Sequence, residues 1–141
     1  MRVHAAALLC DGGADPERSK ALIARANPGY VVQAVKATAA RNEALVEMLA
    51  AQTLRAQSSE RLLAKKPEID LLLRFAGTSQ IAKAIRGEGA KAGVPFVLVA
   101  AGPRPVKGLA GLKGTRLRRE PLARSELAKI EKAALLDAIR G

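Results

Sequence analysis

Residues 77–80, Gly-Thr-Ser-Gln, have the residue types that could most directly bind a charged ligand. They follow a hydrophobic run and precede a short basic segment with helical spacing. A strand that ends at glycine and continues as a helix directs backbone N–H groups toward an anion. The amides of Thr78, Ser79 and Gln80 are therefore candidates for one phosphate. In the alternative interpretation Gly77 has a positive φ, and Thr78 or Ser79 caps its own helix.

Other phosphate-binding motifs do not fit the sequence. The chain contains no GxxxxGK[ST] stretch. The sequence GEGAKAG at 87–93 has dinucleotide-like glycine spacing, but it follows a predicted helix and precedes a predicted strand. An anion needs the opposite order, because it binds at a helix N-terminus.

Candidate catalytic groups lack partners that the sequence can place beside them. Asp70 and Arg74 are expected to form an ordinary ion pair. The sequence places no general base beside Ser58-Ser59. The single His4 and single Cys10 exclude a Cys/His zinc cluster or a disulfide within one chain. We therefore expect no catalytic residue, no metal and no cofactor, which favours a binding protein over an enzyme.

The charge balance indicates the kind of partner. The 141 residues include 24 Lys+Arg and 13 Asp+Glu, giving a net charge of +11. Such a basic chain is expected to bind a polyanion, nucleic acid first of all, although a merely Lys/Arg-biased surface is the alternative. No segment approaches transmembrane length, so we expect a cytoplasmic protein with no membrane partner.

Alternating patterns predict one α/β (α+β) domain over residues 1–141, with helices packed on a small mixed sheet. The predicted strands are residues 3–9, 30–37, 69–76 and 94–101. The predicted helices are residues 16–26, a long helix capped by Asn42, residues 79–86, and residues 125–140 capped by Ser125. Pro67 is expected to stop helical continuation. Residues 102–121 are basic and rich in Gly and Pro, which predicts either a long loop or a weak helix and strand.

Two helices have faces that bear on function. The 79–86 helix is expected to bury Ile81, Ala82 and Ile85 and to expose Lys83 and Arg86. The final helix carries an apolar stripe that is wide for one side of a small sheet. Most of this stripe is expected in the core, and part of it is a candidate docking face for a partner.

Basic residues gather in three groups that could neutralise RNA phosphates. The groups are Arg55, Arg61, Lys65 and Lys66; Arg74, Lys83, Arg86 and Lys91; and the run from Arg104 to Arg119. Aromatic residues make up only 2% of the chain. Base stacking of the RRM or OB type is therefore disfavoured, and recognition of the RNA backbone or terminus is favoured.

One stretch resembles a known family. The pattern Glu68-Ile69-Asp70-Leu71-Leu72-Leu73, Ala76-Gly77, Gln80-Ile81, Ala84-Ile85 and Gly89 is similar to the PRPK-binding protein (TPRKB) family, the small subunit of the KEOPS complex. The resemblance implies that the segment 68–73 is a strand, which a small-Gly turn and the Q-I-x-x-A-I segment follow. The terminal helix, of type LxxIEKxALLxA, extends the resemblance. Two features depart from the family: Ser79 stands where an arginine is common, and residues 102–121 are shorter and more basic.

The resemblance implies a non-catalytic subunit that binds the small atypical kinase/ATPase of KEOPS. It also implies capture of the 3′ CCA end of tRNA, supporting threonylcarbamoyladenosine modification. By analogy, tRNA phosphates are expected at Arg55, Arg61, Lys65, Arg74, Lys83 and Arg86. The kinase is expected at Leu127, Ile130, Ala134 and Ile139.

Two other classes of function remain open. A general RNA-binding or ribosome-associated protein would explain the charge equally well. A small phosphometabolite-binding enzyme would use the 78–80 amides together with Arg74 as an anion cradle.

Overall fold

The computed structural model describes residues 2–140, which form four β-strands and five α-helices. In chain order they are β1 (His4–Cys10), α1 (Pro16–Ala26), β2 (Val31–Lys36), α2 (Glu43–Ser58), α3 (Pro67–Ala76), α4 (Ile81–Glu88), β3 (Phe96–Gly102), β4 (Thr115–Arg116) and α5 (Arg124–Arg140). Short 3₁₀ turns follow β2 and precede β4.

The four strands form one antiparallel sheet in the order β2-β3-β1-β4. The late strand β3 lies at its centre, where Ala6 pairs with Ala100 and Val32 pairs with the same residue from the other side. The predicted α+β class is confirmed. The sheet is antiparallel, however, so the expectation of a mixed sheet is wrong.

Side chains of the central strand alternate between two apolar clusters. Val97, Val99 and Ala101 pack with residues of α2, α3, α4 and α5, whereas Phe96 and Leu98 pack with α1 on the opposite face. Since both faces of β3 are covered, all seven of its residues are buried. The fold therefore has three layers: four helices, the sheet, and α1 with part of the 102–121 segment.

The first two helices begin at the capping residues that the sequence provides. The Asp15 carboxylate accepts from the Glu17 amide, and Pro16 occupies the first turn of α1. The Asn42 side chain accepts from the Ala44 amide at the start of α2, as expected. Glu43 adds a negative charge near the positive end of the α2 dipole.

The strand predicted at residues 69–76 is wrong, because this segment is α3. Pro67 is the first residue of the helix, where its missing N–H and fixed φ are favourable, so it starts a helix instead of stopping one. Gly77 ends α3 with φ +67°, the left-handed geometry typical of a helix C-terminus. Asp70 and Arg74, four residues apart, therefore lie on one helix face.

The position of α3 explains why its sequence lacks a polar side. It packs against β2 and against α2, α4 and α5. Residues Asp70 through Phe75 are consequently all buried. A helix that is enclosed on every side carries a nearly continuous apolar run, which periodicity alone does not distinguish from a buried strand.

Residues 102–121 are mostly irregular but contain one 3₁₀ turn and the short strand β4, and specific contacts hold them to the body. The buried Asn27 side chain donates to Lys107 O and accepts from Lys107 N, both at 2.8 Å. The Tyr30 hydroxyl donates to Arg104 O at 2.9 Å. The last helix begins at Arg124, so Ser125 lies in its first turn and is not the residue preceding it.

Candidate functional site

Three of the predicted RNA-binding residues lie at the C-terminal end of α2 and in the loop that follows it. Arg55, Arg61 and Lys65 are exposed, and none forms an ion pair with another side chain in the described part of the chain. Such cations are available to neutralise phosphates.

Arg55 and Arg61 border a shallow groove of about 430 Å³ between α2 and α5. The groove is lined by Gln52, Arg55, Ala56, Ser59, Arg61, Ala134, Asp137 and Ala138. Its two arginines face a wall formed by small residues of α5 and one acidic residue, Asp137. The structure therefore brings these two predicted RNA residues together with Ala134 of the predicted partner surface.

Arg74 does not belong to this exposed set. Its side chain is 0% exposed, so the prediction that it contacts a tRNA phosphate is wrong. Nε donates to Asp70 Oδ1 at 2.7 Å, and Nη2 donates to Asp137 Oδ1 at 2.9 Å. Nη1 donates to Gln52 Oε1 at 3.2 Å and to Asp137 Oδ2 at 3.0 Å. The guanidinium is thus engaged on every nitrogen.

This network joins three helices. Asp70 also accepts from the Thr53 hydroxyl at 2.6 Å and from the Leu63 amide at 2.9 Å. Burial opposes the charge of Arg74, but the hydrogen bonds that it donates to Asp137 and Asp70 outweigh that penalty and raise the pKa of Arg74. The ion pair predicted between Asp70 and Arg74 is present within α3. The further contacts of Arg74 with Asp137 and Gln52 fasten α5 and α2 to α3.

The 77–80 stretch joins two helices, so the strand-to-helix order of the phosphate-cradle interpretation is wrong, and the Thr78 amide already donates to Leu73 O at 3.3 Å. Gly77 has the positive φ expected in the alternative interpretation. Thr78 Oγ1 accepts from the Gln80 amide at 3.2 Å, next to the start of α4. Because Arg74 is buried, the anion cradle predicted for a phosphometabolite enzyme lacks its cation.

α4 presents a face different from the one predicted. Lys83 and Arg86 are exposed, as expected, but Ile81 and Ile85 are 46% and 49% exposed. Ala82 is also exposed, and within α4 only Ala84 is buried. The expectation that Ile81, Ala82 and Ile85 face the core is wrong, because this short helix contacts α3 through its small Ala84.

α5 buries a narrower stripe than the sequence indicated. Ala133 and Leu136 are buried, whereas Leu127, Ala134 and Ile139 of the predicted partner surface are exposed. Ile130, the fourth predicted residue, is partly buried and packs against the main core. Leu135, beside the stripe, is also exposed.

Part of the basic 102–121 segment is already paired with acids of α2. Arg116 binds the Glu43 carboxylate, with Nη2 donating at 3.0 Å, and Arg119 binds Glu47. The hydrogen bond from Arg119 lowers the pKa of Glu47 despite partial burial. These two arginines therefore serve first to hold the segment against α2.

Two lysines of α5, which the predictions from the sequence did not include, make specific contacts in the structure. Lys129 Nζ donates to Ala39 O at 3.1 Å and lies 5.6 Å from the centre of the Phe75 ring. Burial lowers its pKa, and the nearby positive charge of Lys36 acts in the same direction. The aliphatic chain of Lys132 covers Gly77. The spacing of Lys129 from the buried Ala133 and Leu136 is the signal that could have placed it inward.

Within the described range no group of three or more His, Cys, Asp or Glu is arranged to hold a metal ion. None of the helices described has the length and apolar character that crossing a bilayer requires. No protein-family model and no curated protein matches this chain.

Proposed function

We propose that the chain is a non-catalytic, cytoplasmic accessory subunit of a KEOPS-like complex. In this proposal it binds the small kinase/ATPase of the complex and the 3′ CCA end of tRNA, and so supports threonylcarbamoyladenosine modification of tRNA. The observation that carries the proposal is that α5 contributes to two surfaces: Ala134 and Ala138 line the groove together with Arg55 and Arg61. Leu127, Leu135 and Ile139 are exposed on the same helix.

The partner half of the proposal depends on α5. Leu127, Leu135 and Ile139 expose large apolar side chains along one helix. An apolar helix face that no part of its own chain covers is a common mode of protein docking. The bidentate contact between Arg74 and Asp137 fixes this helix on the body, so the stripe is held ready for a partner.

The RNA half depends on cations that have no competing partner. Arg55, Arg61, Lys65, Lys83 and Arg86 are exposed and unpaired among the described side chains. Each can neutralise one phosphate, which contributes affinity and positioning but little sequence information. Arg74 is omitted because its donors are occupied.

The resemblance in sequence supports the same assignment. The motif EIDLLL, the Ala76-Gly77 turn and the Gln80-Ile81 pair stand in the TPRKB-like order. In this chain the motif runs through α3 and into α4, so the segment that the resemblance implied to be a strand is a helix here. It therefore spans the buried helix that fixes α5 and the exposed helix that carries two of the proposed RNA residues.

The partner half is tested by co-purification of the chain with its cognate small kinase. Leu135→Glu introduces a charge on the exposed stripe, and we expect it to abolish the complex while the fold is retained. Leu22→Glu is the matched control, since Leu22 is similarly exposed but lies on α1, across the sheet. Complex formation that survives Leu135→Glu contradicts docking on α5. Ile130 is a poor test site because it packs against the core.

The RNA half is tested by a mobility shift with intact tRNA and with tRNA trimmed of its CCA end. We expect a clear preference for the intact molecule. Equal binding would instead support a general RNA-binding protein, which the net charge of +11 also favours. That outcome would remove the 3′-end mechanism.

A further inference from the structure

α4 has an exposed apolar pair that the fold itself does not use. Ile81 and Ile85 stand one turn apart, on the same side of the helix, and about half of each side chain is exposed. Only Ala84 attaches α4 to the body as a buried residue. Large apolar side chains at helical spacing on a solvent face mark a binding surface more often than scattered single residues do.

The rest of the outer face of α4 is small or positively charged. Successive residues of a helix are about 100° apart. The outward surface therefore runs from the Ile81–Ile85 edge across exposed Ala82 to an opposite edge formed by Arg86 and Lys83. The small side chain at 82 leaves an unobstructed path between the apolar edge and the cationic edge.

The charged groups around this face are mostly positive. The one acidic residue of α4 is Glu88, which pairs with Lys36 at 3.6 Å. Lys83 and Arg86 have no ion-pair partner among the described residues. Lys132 of α5 adds a further cation at the α3–α4 corner, where it covers Gly77.

We infer that α4 is a platform for unpaired nucleotides, with base faces packed on Ile81 and Ile85 and phosphates along Lys83 and Arg86. Apolar side chains pack on bases only when the bases are not stacked in a duplex. The cations supply the attraction to the backbone that accompanies such stacking in single-strand binders. The inference rests on the RNA half of the proposed function and specifies which part of the RNA meets which helix.

The positive charge of the chain favours a nucleic acid over a second copy of the chain as the occupant of the α4 face. A copy would bring a net charge of +11 against the same basic edge, and like charges at an interface oppose association. A single-stranded nucleic acid provides both features that the face complements, a planar apolar surface and a regular row of negative charges.

The first test compares a short unpaired oligoribonucleotide with a blunt-ended RNA duplex that has the same number of phosphates. We expect the unmodified chain to prefer the unpaired RNA. In the double variant Ile81→Ser with Ile85→Ser, affinity for the unpaired RNA should fall by about tenfold, because serine removes apolar surface that the bases would cover. Affinity for the duplex should not change. Serine is suitable because its helix propensity is close to that of isoleucine.

Two control variants make the comparison specific. Leu22→Ser removes a side chain that is 47% exposed on the opposite side of the sheet, and it should leave both affinities unchanged. The double variant Lys83→Gln with Arg86→Gln should lower the affinity for both RNAs. It should also reduce the salt dependence of unpaired-RNA binding by about 1.4 in log–log slope, about 0.7 for each phosphate that the variant no longer neutralises.

Failure of this inference and failure of the proposed function give different results. If the unmodified chain prefers intact over CCA-trimmed tRNA but the Ile81/Ile85 variant behaves like Leu22→Ser, the α4 platform is wrong while the function stands. If the unmodified chain binds paired and unpaired RNA equally, both are wrong. If the variant loses only the kinase partner, α4 is a protein-docking face and the inference is overturned.

A second measurement needs no substitution and so does not depend on the folding of a variant. A photoreactive pyrimidine in the unpaired RNA is cross-linked to the unmodified chain, and the attached peptides are identified by mass spectrometry. We expect attachment within residues 78–91. Attachment confined to α1 or to residues 104–119 would overturn the inference.

Discussion

α3 and α4 are consecutive helices separated by one turn, and they invert the usual distribution of polar and apolar side chains. α3 encloses Asp70 and Arg74, whereas α4 exposes Ile81 and Ile85. The charged pair is inside and the isoleucines are outside. The inversion shows that the position of a helix in the layers, more than its composition, decides what its residues do.

The buried pair of α3 has a structural task. Arg74 reaches Asp70 on its own helix, Gln52 on α2 and Asp137 on α5, so a single guanidinium sets the relation of three helices. No buried side-chain polar atom in the described residues lacks a hydrogen-bond partner, which is the condition under which a buried ion pair is tolerated. α4, by contrast, is held chiefly by its contact with α3, and most of its residues are exposed.

The largest effect is expected from Arg74→Ala. It leaves Asp70 buried without its cation, and we expect a loss of about 3–5 kcal/mol in the free energy of unfolding. Urea denaturation measures it. Arg86→Ala, the matched arginine on α4, should change stability by no more than about 0.5 kcal/mol. Similar losses in the two variants would contradict the contrast between the helices.

Replacing glycine by alanine should have opposite effects on stability at the end of α3 and within α4. Gly77→Ala forces φ +67° on alanine and places a Cβ 2.9 Å from Lys132 Cδ, so we expect a loss of about 1–2 kcal/mol. Gly87→Ala lies within α4, where an added Cβ meets nothing within 4 Å, and should gain about 0.5–1 kcal/mol. Thermal or urea unfolding of both variants measures these changes. If both substitutions stabilise or both destabilise the protein, the backbone conformation given for one of the two glycines is wrong.

The smallest effect is expected at the exposed ion pair between Glu47 and Arg119, which serves as a comparison for the buried pair of Asp70 and Arg74. Hydrogen bonding from Arg119 depresses the pKa of Glu47 in the folded state. Its stabilisation is therefore present above the unfolded pKa, near 4.5, and is lost as pH falls through the folded pKa. Glu47→Gln should cost about a few tenths of a kcal/mol at neutral pH and nothing well below pH 4. A loss that persists in acid would mean that the carboxylate charge is not its source.

Elements with local signals were predictable from the sequence. Asp15 with Pro16 and Asn42 with Glu43 locate the starts of α1 and α2, because caps act on the adjacent turn. The central strand β3 followed from its unbroken apolar run. These predictions depend on interactions within a few residues and need no knowledge of tertiary packing.

Predictions that required tertiary context failed. The run Asp70–Phe75 fits both a strand and a fully enclosed helix, and only Pro67 before it and Gly77 after it indicate the helix. The isoleucines of α4 look like a core stripe, but α4 meets its neighbour through Ala84. The family analogy places Arg74 at the RNA although the sequence predicts its ion pair with Asp70, and nothing local reveals that Asp137, 63 residues later, also binds it.

The most direct test of the central claim is hydrogen–deuterium exchange of the unmodified chain with intact tRNA and with CCA-trimmed tRNA. We expect intact tRNA to slow exchange in residues 78–91, whereas α3 should exchange slowly and equally in every state, since its backbone is already buried. The trimmed tRNA should lose the protection at α4. Equal protection of α4 by both tRNAs, or none by either, would contradict the assignment of α4 to the unpaired end.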